Sequence, residues 1–216
     1  MYRSPAFVEN DRDKIAEMIR SYPFGMLITS DQGRADVTHL PFMLQWEGED
    51  QNSGKLIGHI ARANPQWKYF AQGEEVLVVF QGPHTYISPS WYTNFGVPTW
   101  NYAAVHVRGT VRLIEDEASL TAMLTALTET HEAAQPEPWV FDIDPERRAH
   151  LMEKLVGFEI DITDIQAIFK FNQNRSEEDR AGVIAALSQS PDDNDQAVAR
   201  LMREQMMAQK TAGKNG

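Results

Sequence analysis

The stretch that decides the fold, residues 74–114, reads EEVLVVFQGPHTYISPSWYTNFGVPTWNYAAVHVRGTVRLI. It predicts a strand over 74–82, extended by 84–89, and a second strand over 103–114, because β-branched and aromatic residues fill these runs. The first run is continuously apolar, which predicts that both faces of that strand are buried. The residues between the strands, 89–102, predict a long loop. This strand–loop–strand pattern indicates a sheet-based fold.

Strand patterns also lie on both sides of this stretch, over 24–30, 35–46, 55–61 and 156–172. Helical periodicity is found over 11–21, 65–73, 116–133, 145–154, 175–187 and from about 192 onward. Strands and helices do not alternate strictly, which disfavours a parallel α/β fold. We therefore expect a mainly β fold with helical decoration, an antiparallel barrel over residues 1–190, followed by a C-terminal helical extension over 191–216.

Charge and composition restrict the function. The 216 residues include 20 Lys and Arg against 31 Asp and Glu, a formal net charge of −11. A phosphate backbone repels such a surface, so direct DNA binding is doubtful. The chain has no cysteine, which excludes thiolate metal sites and a cysteine nucleophile. No stretch approaches the roughly 20 apolar residues that span a bilayer, so we expect a cytoplasmic protein without membrane contact.

The common catalytic and nucleotide-binding motifs are absent. The sequence contains no GxGxxG turn, no GxxxxGK[ST] loop, no GxSxG elbow and no HExxH pair. Its six histidines do not have metal-ligand spacing, so we expect no metal site. No side chain stands out as an essential acid or base, which leaves the catalytic residues unknown.

Two polar segments lie on or beside predicted strands. The sequence THLPF places His39 two residues before Pro41, and a strand proline marks an edge or bulge where a ligand can approach the backbone. The sequence HIARANPQW places Arg62 at a strand end and Asn64 at a helix start, which suits a phosphate. Each has a plainer interpretation: a satisfied histidine at a sheet edge, and a capped helix with a surface arginine.

The loop 89–102 and the segment 170–183 are also unusual. The loop contains two Trp, two Tyr and one Phe, so we expect it to bury against a partner subunit or a flat aromatic ligand, or to pack within the fold. The segment, KFNQNRSEEDRAGV, carries amides that are able to bind the polar edge of a heterocycle. It is otherwise a strand-to-helix connection capped by Ser176.

Together these segments resemble the PaiB family, whose members are called FMN-binding negative transcriptional regulators. The resemblance runs from Met1 to about Leu187 and is carried by MYRSPAF (1–7), PFG (23–25), HLPF (39–42), HIARANPQW (59–67), PSWY…VPTWNYAAVHVRG (89–109) and QNRSEEDRAGV (173–183). It implies an FMN-binding split β-barrel, the fold of pyridoxamine-phosphate oxidases and flavin reductases, in which two subunits pair and flavin sites lie at the dimer interface. We therefore expect a homodimer.

The resemblance also implies where FMN binds. The HLPF strand would run beside the isoalloxazine, Arg62 and Asn64 would hold the phosphate, the aromatic loop would close the site, and the QNRS segment would reach the flavin edge. The cofactor-binding residues implied in this way are Thr38, His39, Leu40, Pro41, His59, Ala61, Arg62, Asn64, Trp100, Asn101, Lys170 and Gln173.

Three functions remain open at this point. The first is an FMN-binding protein with a negative regulatory role in transcription, exerted indirectly because of its acidity. The second is a flavin-dependent oxidoreductase of the pyridoxamine-phosphate-oxidase type. The third is a haem-binding protein of the same fold, with His39, His59, His84 or His106 as iron ligands.

Overall fold

The computed structural model of the chain describes residues 1–46 and 54–212. Within these residues lie eight strands: β1 Val8–Glu9, β2 Phe24–Asp31, β3 Arg34–Pro41, β4 Met43–Trp46, β5 Gly54–Ala61, β6 Glu75–Ile87, β7 Thr99–Ile114 and β8 Leu155–Lys170. The α-helices of the same residues are α1 Arg12–Ser21, α2 Glu117–Glu132, α3 Pro145–Met152, α4 Glu177–Ser188 and α5 Asp193–Ala212. Short 3-10 helices cover Pro5–Phe7, Pro65–Gln72 and Pro89–Trp91.

The strands pair in the order β3-β2-β6-β7-β8-β5-β4, and β1 pairs with β8. The pairs β2–β3, β2–β6, β4–β5, β5–β8 and β1–β8 are antiparallel. The register of β2 and β3 runs from Phe24 opposite Pro41 to Asp31 opposite Arg34, closed by a tight turn in which Gly33 has a φ of 83°. A left-handed turn residue of this kind is favourable mainly for glycine.

Two compact units divide the chain. The Arg62 unit comprises residues 19–80 and 106–165, and the Asp179 unit comprises residues 1–18, 81–105 and 166–216. The strands β6, β7 and β8 contribute residues to both units. The predicted boundary between residues 190 and 191 stays a prediction, and residues 213–216 of the predicted extension lie outside the described residues.

Aromatic side chains form the core of the Arg62 unit. The ring of Phe42 lies edge-on to Phe80 and Phe158 at centroid distances of 5.7 and 6.3 Å, and Phe70 contacts Phe158 at 5.2 Å. Edge-to-face pairs of this kind add to the stability gained from apolar burial. A second apolar cluster joins α2 and α3 to β5; its buried members are Ile57, Leu120, Met123, Leu124, Leu127 and Met152.

Helices α4 and α5 contribute to the apolar core of the Asp179 unit. Val183 and Leu187 of α4 and Val198 and Met202 of α5 are buried, as is Phe171 after β8. Ser176 caps α4 by accepting a hydrogen bond from the N–H of Asp179 at 3.2 Å, as the sequence predicted.

The predicted strand 35–46 is wrong as a single element, because it breaks at Phe42 into β3 and β4. Pro41 ends the pairing with β2, and the N–H of Phe42 donates instead to the carbonyl of Pro23 at 2.9 Å. Beyond this point β4 pairs with β5. A proline that lacks an N–H marks the point where one ladder stops and the next begins.

The prediction that both faces of the strand 74–82 are buried is also wrong. Val76, Val78 and Phe80 are buried, whereas Leu77 and Val79 on the opposite face are only half-buried. The continuous apolar run therefore has one buried face and one half-buried face. The second face carries apolar side chains without full cover.

Candidate functional site

The guanidinium of Arg62 is fixed by backbone groups. Its Nε donates to the carbonyl of Glu153 at 2.8 Å and its Nη2 donates to the carbonyl of Leu155 at 2.9 Å, while its own N–H donates to the carbonyl of Lys154 at 2.8 Å. The guanidinium also lies 5.8 Å from the ring centre of Trp67, whose Nε1 donates to the Arg62 carbonyl.

Arg62 nevertheless keeps donors for a ligand. The residue is exposed, and within the described part of the chain its Nη1 has no hydrogen-bond partner and its charge is paired with no carboxylate. A guanidinium held in place with its charge uncompensated is suited to bind a phosphate or carboxylate in a defined direction.

Asn64 and Thr38, both predicted to bind the cofactor, meet in one hydrogen-bond network. The Asn64 Oδ1 accepts from the N–H of Gln66 at 3.0 Å and so caps the 3-10 helix, and the Asn64 Nδ2 donates to the Thr38 hydroxyl at 2.9 Å. That hydroxyl donates in turn to the Gln66 Oε1. The network brings the residue after β5 and the middle of β3 together.

Gln66 is the central residue of this network, and the sequence analysis gave it no role. It is 2% exposed, and its Nε2 lies 3.2 Å from the carbonyl of Leu27, 3.1 Å from the Thr29 hydroxyl and 3.1 Å from the carbonyl of Asp36. Its position after Asn64-Pro65 at the start of a helix was the available signal, but the pairing with β2 and β3 comes only from the fold.

His39, Leu40 and Pro41 lie at the end of β3 with alternating environments. Leu40 is buried, whereas His39 is exposed and stacks on the ring of Phe24 at a centroid distance of 6.0 Å. His39 and Thr38 therefore face opposite sides of the sheet. A ligand beside this strand contacts either the Thr38 side or the His39 side.

His59 and Ala61 occupy β5. Burial lowers the pKa of His59, so its imidazole is neutral near pH 7, and among the described residues its Nδ1 has no hydrogen-bond partner. Ala61 is exposed at the strand end next to Arg62. An unsatisfied buried nitrogen costs free energy, which makes His59 available to a ligand group or a water.

Trp100 and Asn101 belong to the Asp179 unit and face opposite ways. Asn101 is fully buried; its Nδ2 donates to the Met202 sulfur at 3.4 Å, and its Oδ1 has no partner in the described chain. Trp100 is half-exposed and lies 6.4 Å from His84 and 6.2 Å from Tyr86, measured between ring centres. Trp100 presents an aromatic surface, and Asn101 lies beneath α5.

Lys170 and Gln173 lie at the end of β8 and just beyond it. The Lys170 Nζ donates to the Thr99 hydroxyl at 2.6 Å and lies 5.7 Å from the ring centre of Phe7, and burial lowers its pKa. The Gln173 amide is used within its own turn, where it accepts from the N–H of Phe171 and donates to the carbonyl of Phe169. Within the described structure the Lys170 ammonium is paired with no carboxylate and is therefore able to bind an anionic ligand. The Gln173 amide already uses its oxygen and one N–H within its own turn.

Asp179 fixes the aromatic loop, a role that no pattern in the sequence indicated. It is 2% exposed, and its Oδ1 accepts from the N–H groups of Thr93 and Asn94 at 2.9 Å each and from the Asn94 Nδ2 at 3.2 Å. These hydrogen bonds, the Asn94 N–H foremost, hold the pKa of Asp179 below its usual range.

Further contacts hold the same loop. Arg175 donates to the carbonyl of Phe95 at 3.1 Å and lies over the ring of Tyr92 at 4.7 Å. Asn172, at a φ of 60°, donates to the Tyr92 hydroxyl at 2.9 Å. The segment after β8 is therefore a clamp for the loop, formed by Asn172, Arg175 and Asp179.

The histidines considered as haem ligands are distributed over both units. His39, His59 and His106 belong to the Arg62 unit, and His84 belongs to the Asp179 unit. Across residues 1–46 and 54–212, no group of three or more His, Asp or Glu side chains is arranged to hold a metal ion. Within the same residues no helix is long and apolar enough to cross a membrane.

Comparison with known proteins gives consistent results. A protein family described as "Putative FMN-binding domain" matches residues 1–164. The chain is 38% identical to "Protease synthase and sporulation protein PAI 2" of Bacillus subtilis over 210 residues, which cover 97% of this chain and 100% of that protein. It is 30% identical to an uncharacterized protein of Emericella nidulans over 243 residues, 94% and 97% of the two chains.

Two solved structures share the fold at low sequence identity. The flavocytochrome Anf3 of Azotobacter vinelandii gives a TM-score of 0.60 at 17% identity, with 84% of this chain and 78% of that chain covered. An FAD- and haem-binding protein of Mycobacterium smegmatis gives 0.59 at 15% identity, with 81% and 78% covered. The predicted fold, mainly antiparallel β of the split-barrel type with added helices, is confirmed.

Proposed function

This chain belongs to the FMN-binding domain family as a PaiB-like member with FMN as its cofactor, and we propose that it holds the flavin phosphate through Arg62 and acts as an indirect regulator. The observation that carries the phosphate assignment is the Arg62 guanidinium, which is oriented by two backbone carbonyls and keeps Nη1 free within the described structure. Bound FMN would supply hydride or electron transfer.

The residues fit a phosphorylated cofactor in their chemistry. Arg62 supplies a fixed positive charge, and the Asn64 amide retains a second N–H beyond the one given to Thr38. His59 supplies a buried imidazole nitrogen without a partner among the described residues. We assign Arg62 and Asn64 to the phosphate, on the side of β3 that Thr38 faces. The implied role of His39, on the opposite face, stays a prediction from the resemblance.

The test separates FMN from riboflavin, which lacks the phosphate. For Arg62→Ala we expect FMN affinity to fall about 10- to 100-fold, because a hydrogen bond to a charged group contributes roughly 1.5–3 kcal/mol. Riboflavin affinity should stay unchanged. Fluorescence titration of the flavin measures both.

The control is Arg34→Ala, which removes another exposed arginine of the same unit and should leave both affinities unchanged. An equal loss of FMN and riboflavin affinity in Arg62→Ala would show that Arg62 acts only on the fold. Unchanged FMN affinity would remove the phosphate assignment altogether.

We also propose that the protein is a homodimer. The outward face of β2, β3 and β6 in the Arg62 unit is apolar yet incompletely covered, with Val37 50% and Phe24 65% exposed. The other members, Met26, Ile28, Leu77 and Val79, are half-buried. A contiguous apolar sheet face without cover is typical of an interface between subunits.

A charge placed in this face should separate the subunits. We expect Val37→Glu to shift the mass measured by analytical ultracentrifugation from dimer to monomer, because a carboxylate buried at an interface is unpaired. Ala185→Glu, at an exposed position of α4 in the Asp179 unit, should leave the dimer intact. A dimer that survives Val37→Glu would place the interface elsewhere.

The regulatory role is proposed to be indirect and cytoplasmic. The net charge of −11 opposes binding to a phosphate backbone at physiological salt. FMN is itself a charged metabolite that does not cross membranes unaided, which supports a location in the compartment where it is made. Selection from a random DNA pool by the FMN-loaded protein should enrich no sequence; an enriched site would contradict the indirect role.

A further inference from the structure

The segment after α2 in the Arg62 unit presents apolar side chains to water. We name residues 133–144 the Trp139 loop. Trp139 and Val140 are 53% and 71% exposed, a large apolar surface for two adjacent residues. Neither residue takes part in the proposed flavin site, so the loop has no role in the function described above.

The Trp139 loop is held in place from beneath. The N–H of Trp139 donates to the Glu132 Oε2 at 2.8 Å, and the N–H of Gln135 donates to the carbonyl of Glu132 at 2.9 Å. Phe141 packs on the apolar cluster under α2 and contacts the Trp139 ring edge-on at 6.0 Å. An exposed tryptophan on an anchored backbone binds a partner with little loss of conformational entropy.

The charge of the segment restricts what can cover it. Residues 129–148 contain six carboxylates against two arginines, Arg147 and Arg148, at their C-terminal end; the carboxylates are Glu129, Glu132, Glu137, Asp142, Asp144 and Glu146. Nucleic acids and anionic membranes are repelled by such a segment. A second copy that presents the same loop across a two-fold axis would bring like charges together.

We propose that the Trp139 loop is a docking surface for a basic segment of another protein. Trp139 is the apolar anchor, in keeping with the enrichment of tryptophan among residues that dominate binding energy. The surrounding carboxylates attract the basic partner and disfavour acidic ones. The inference does not depend on the flavin site, and a failure of either proposal leaves the other intact.

The test uses two synthetic amphipathic helices, one of leucine and lysine and one of leucine and glutamate, each with a red-fluorescent label. They have the same apolar face and opposite charge. Binding to the full-length, FMN-saturated protein is followed by anisotropy. We expect the lysine peptide to bind at least ten-fold more tightly than the glutamate peptide, and added salt to weaken this binding.

Two variants locate the binding. We expect the affinity for the lysine peptide to fall at least ten-fold in Trp139→Ala. The same loss is expected when Glu129→Gln, Glu137→Gln and Asp142→Asn are combined in a separate variant. The three carboxylates are exposed, so their neutralisation leaves the fold intact. Phe95→Ala removes another exposed aromatic, 92% accessible, in the Asp179 unit and should have no effect.

Three results would overturn the proposal. Equal binding of both peptides would show unspecific apolar adhesion. Retained binding in either the Trp139 or the carboxylate variant would place the site elsewhere. A change in mass of the peptide-free protein on Trp139→Ala would show that a second copy covers the loop.

Discussion

Arg62 and Asp179 each hold irregular backbone by hydrogen bonds to a charged side chain, but they do so in different surroundings. Arg62 is exposed and donates to the carbonyls of Glu153 and Leu155 with Nε and Nη2 only. Asp179 is buried, and one of its oxygens accepts from Thr93 and Asn94. The first charge remains available to a ligand, whereas the second is used within the fold.

The difference separates a group that we propose to bind a ligand from a group that supports the fold. A charge that is oriented but not neutralised gains most from an incoming ion, whereas a charge that is already satisfied contributes to stability. We therefore expect changes at Asp179 and its neighbours to alter folding, and changes around Arg62 to alter FMN affinity. Three further substitutions test this contrast.

The largest effect on stability is expected for Gly182→Ala in α4. A Cβ at this position would lie 2.2 Å from the carbonyl oxygen of Trp91, so the loop and helix must separate. We expect a loss of about 2–3 kcal/mol in the free energy of unfolding, measured by urea denaturation. Replacing a glycine inside a helix by alanine normally stabilises a protein by roughly 1 kcal/mol. A loss of stability in Gly182→Ala would therefore by itself indicate the steric conflict.

Ala181→Gly, at the exposed neighbouring position, is the matched control for helix propensity and should cost about 1 kcal/mol. A neutral or stabilising Gly182→Ala would contradict the close approach of the aromatic loop to α4.

The second effect is expected for Gln66→Met, which keeps the side-chain length but removes the amide. The carbonyls of Leu27 and Asp36 and the hydroxyl of Thr38 then each lose one hydrogen bond, which we expect to cost about 2 kcal/mol. FMN affinity should fall as well, because Thr38 and Asn64 lose their fixed geometry. Thermal melts and flavin titration measure the two effects.

Gln45→Met changes an exposed glutamine of β4 and serves as the control, with no change expected in either measurement. If Gln66→Met lowers stability but leaves FMN binding unchanged, the network supports the fold alone and Thr38 does not belong to the cofactor site.

The third effect is a pH dependence and is the smallest near pH 7. Because hydrogen bonds from Asn94 and Thr93 lower the pKa of Asp179 in the folded state, its contribution to stability is complete above the unfolded pKa of about 3.9 and is lost as the pH falls through the folded pKa. Denaturation curves from pH 7 to pH 3 should show this loss.

Asp179→Asn should flatten the acid limb of that profile without removing it, because Asp116 and Asp161 also have lowered pKa values. An unchanged slope in Asp179→Asn would mean that its carboxylate is not ionised by these contacts in the folded protein.

Local patterns predicted most of the secondary structure. The helices at 116–133 and 145–154 appear as α2 and α3, each capped by the aspartate that precedes it. The predictions failed where neighbours decide: at Phe42, where the pairing partner changes, and on β6, where only one face is covered. Alternation and propensity do not record which strand lies alongside.

The site was predictable to a different degree at each residue. Arg62 and Asn64 could be selected as candidates because a basic residue before a capped helix is a local signal. Gln66 and Asp179 were missed because their partners, Leu27 and Asp36 for one and Thr93 and Asn94 for the other, are at least 30 residues away in sequence. No local sequence pattern predicts hydrogen bonds between residues so far apart in the chain.

The sequence by itself determined the acidic charge, the absence of cysteine, the order of strands and helices, and the resemblance that the family match confirms. Tertiary structure alone decided which polar side chains are consumed by the fold and which stay available. The reason is physical: a hydrogen bond requires its partner within about 3 Å, and that distance depends on the path of the chain. Arg62 keeps its Nη1 and Asp179 fills its Oδ1 only because of what the fold places beside them.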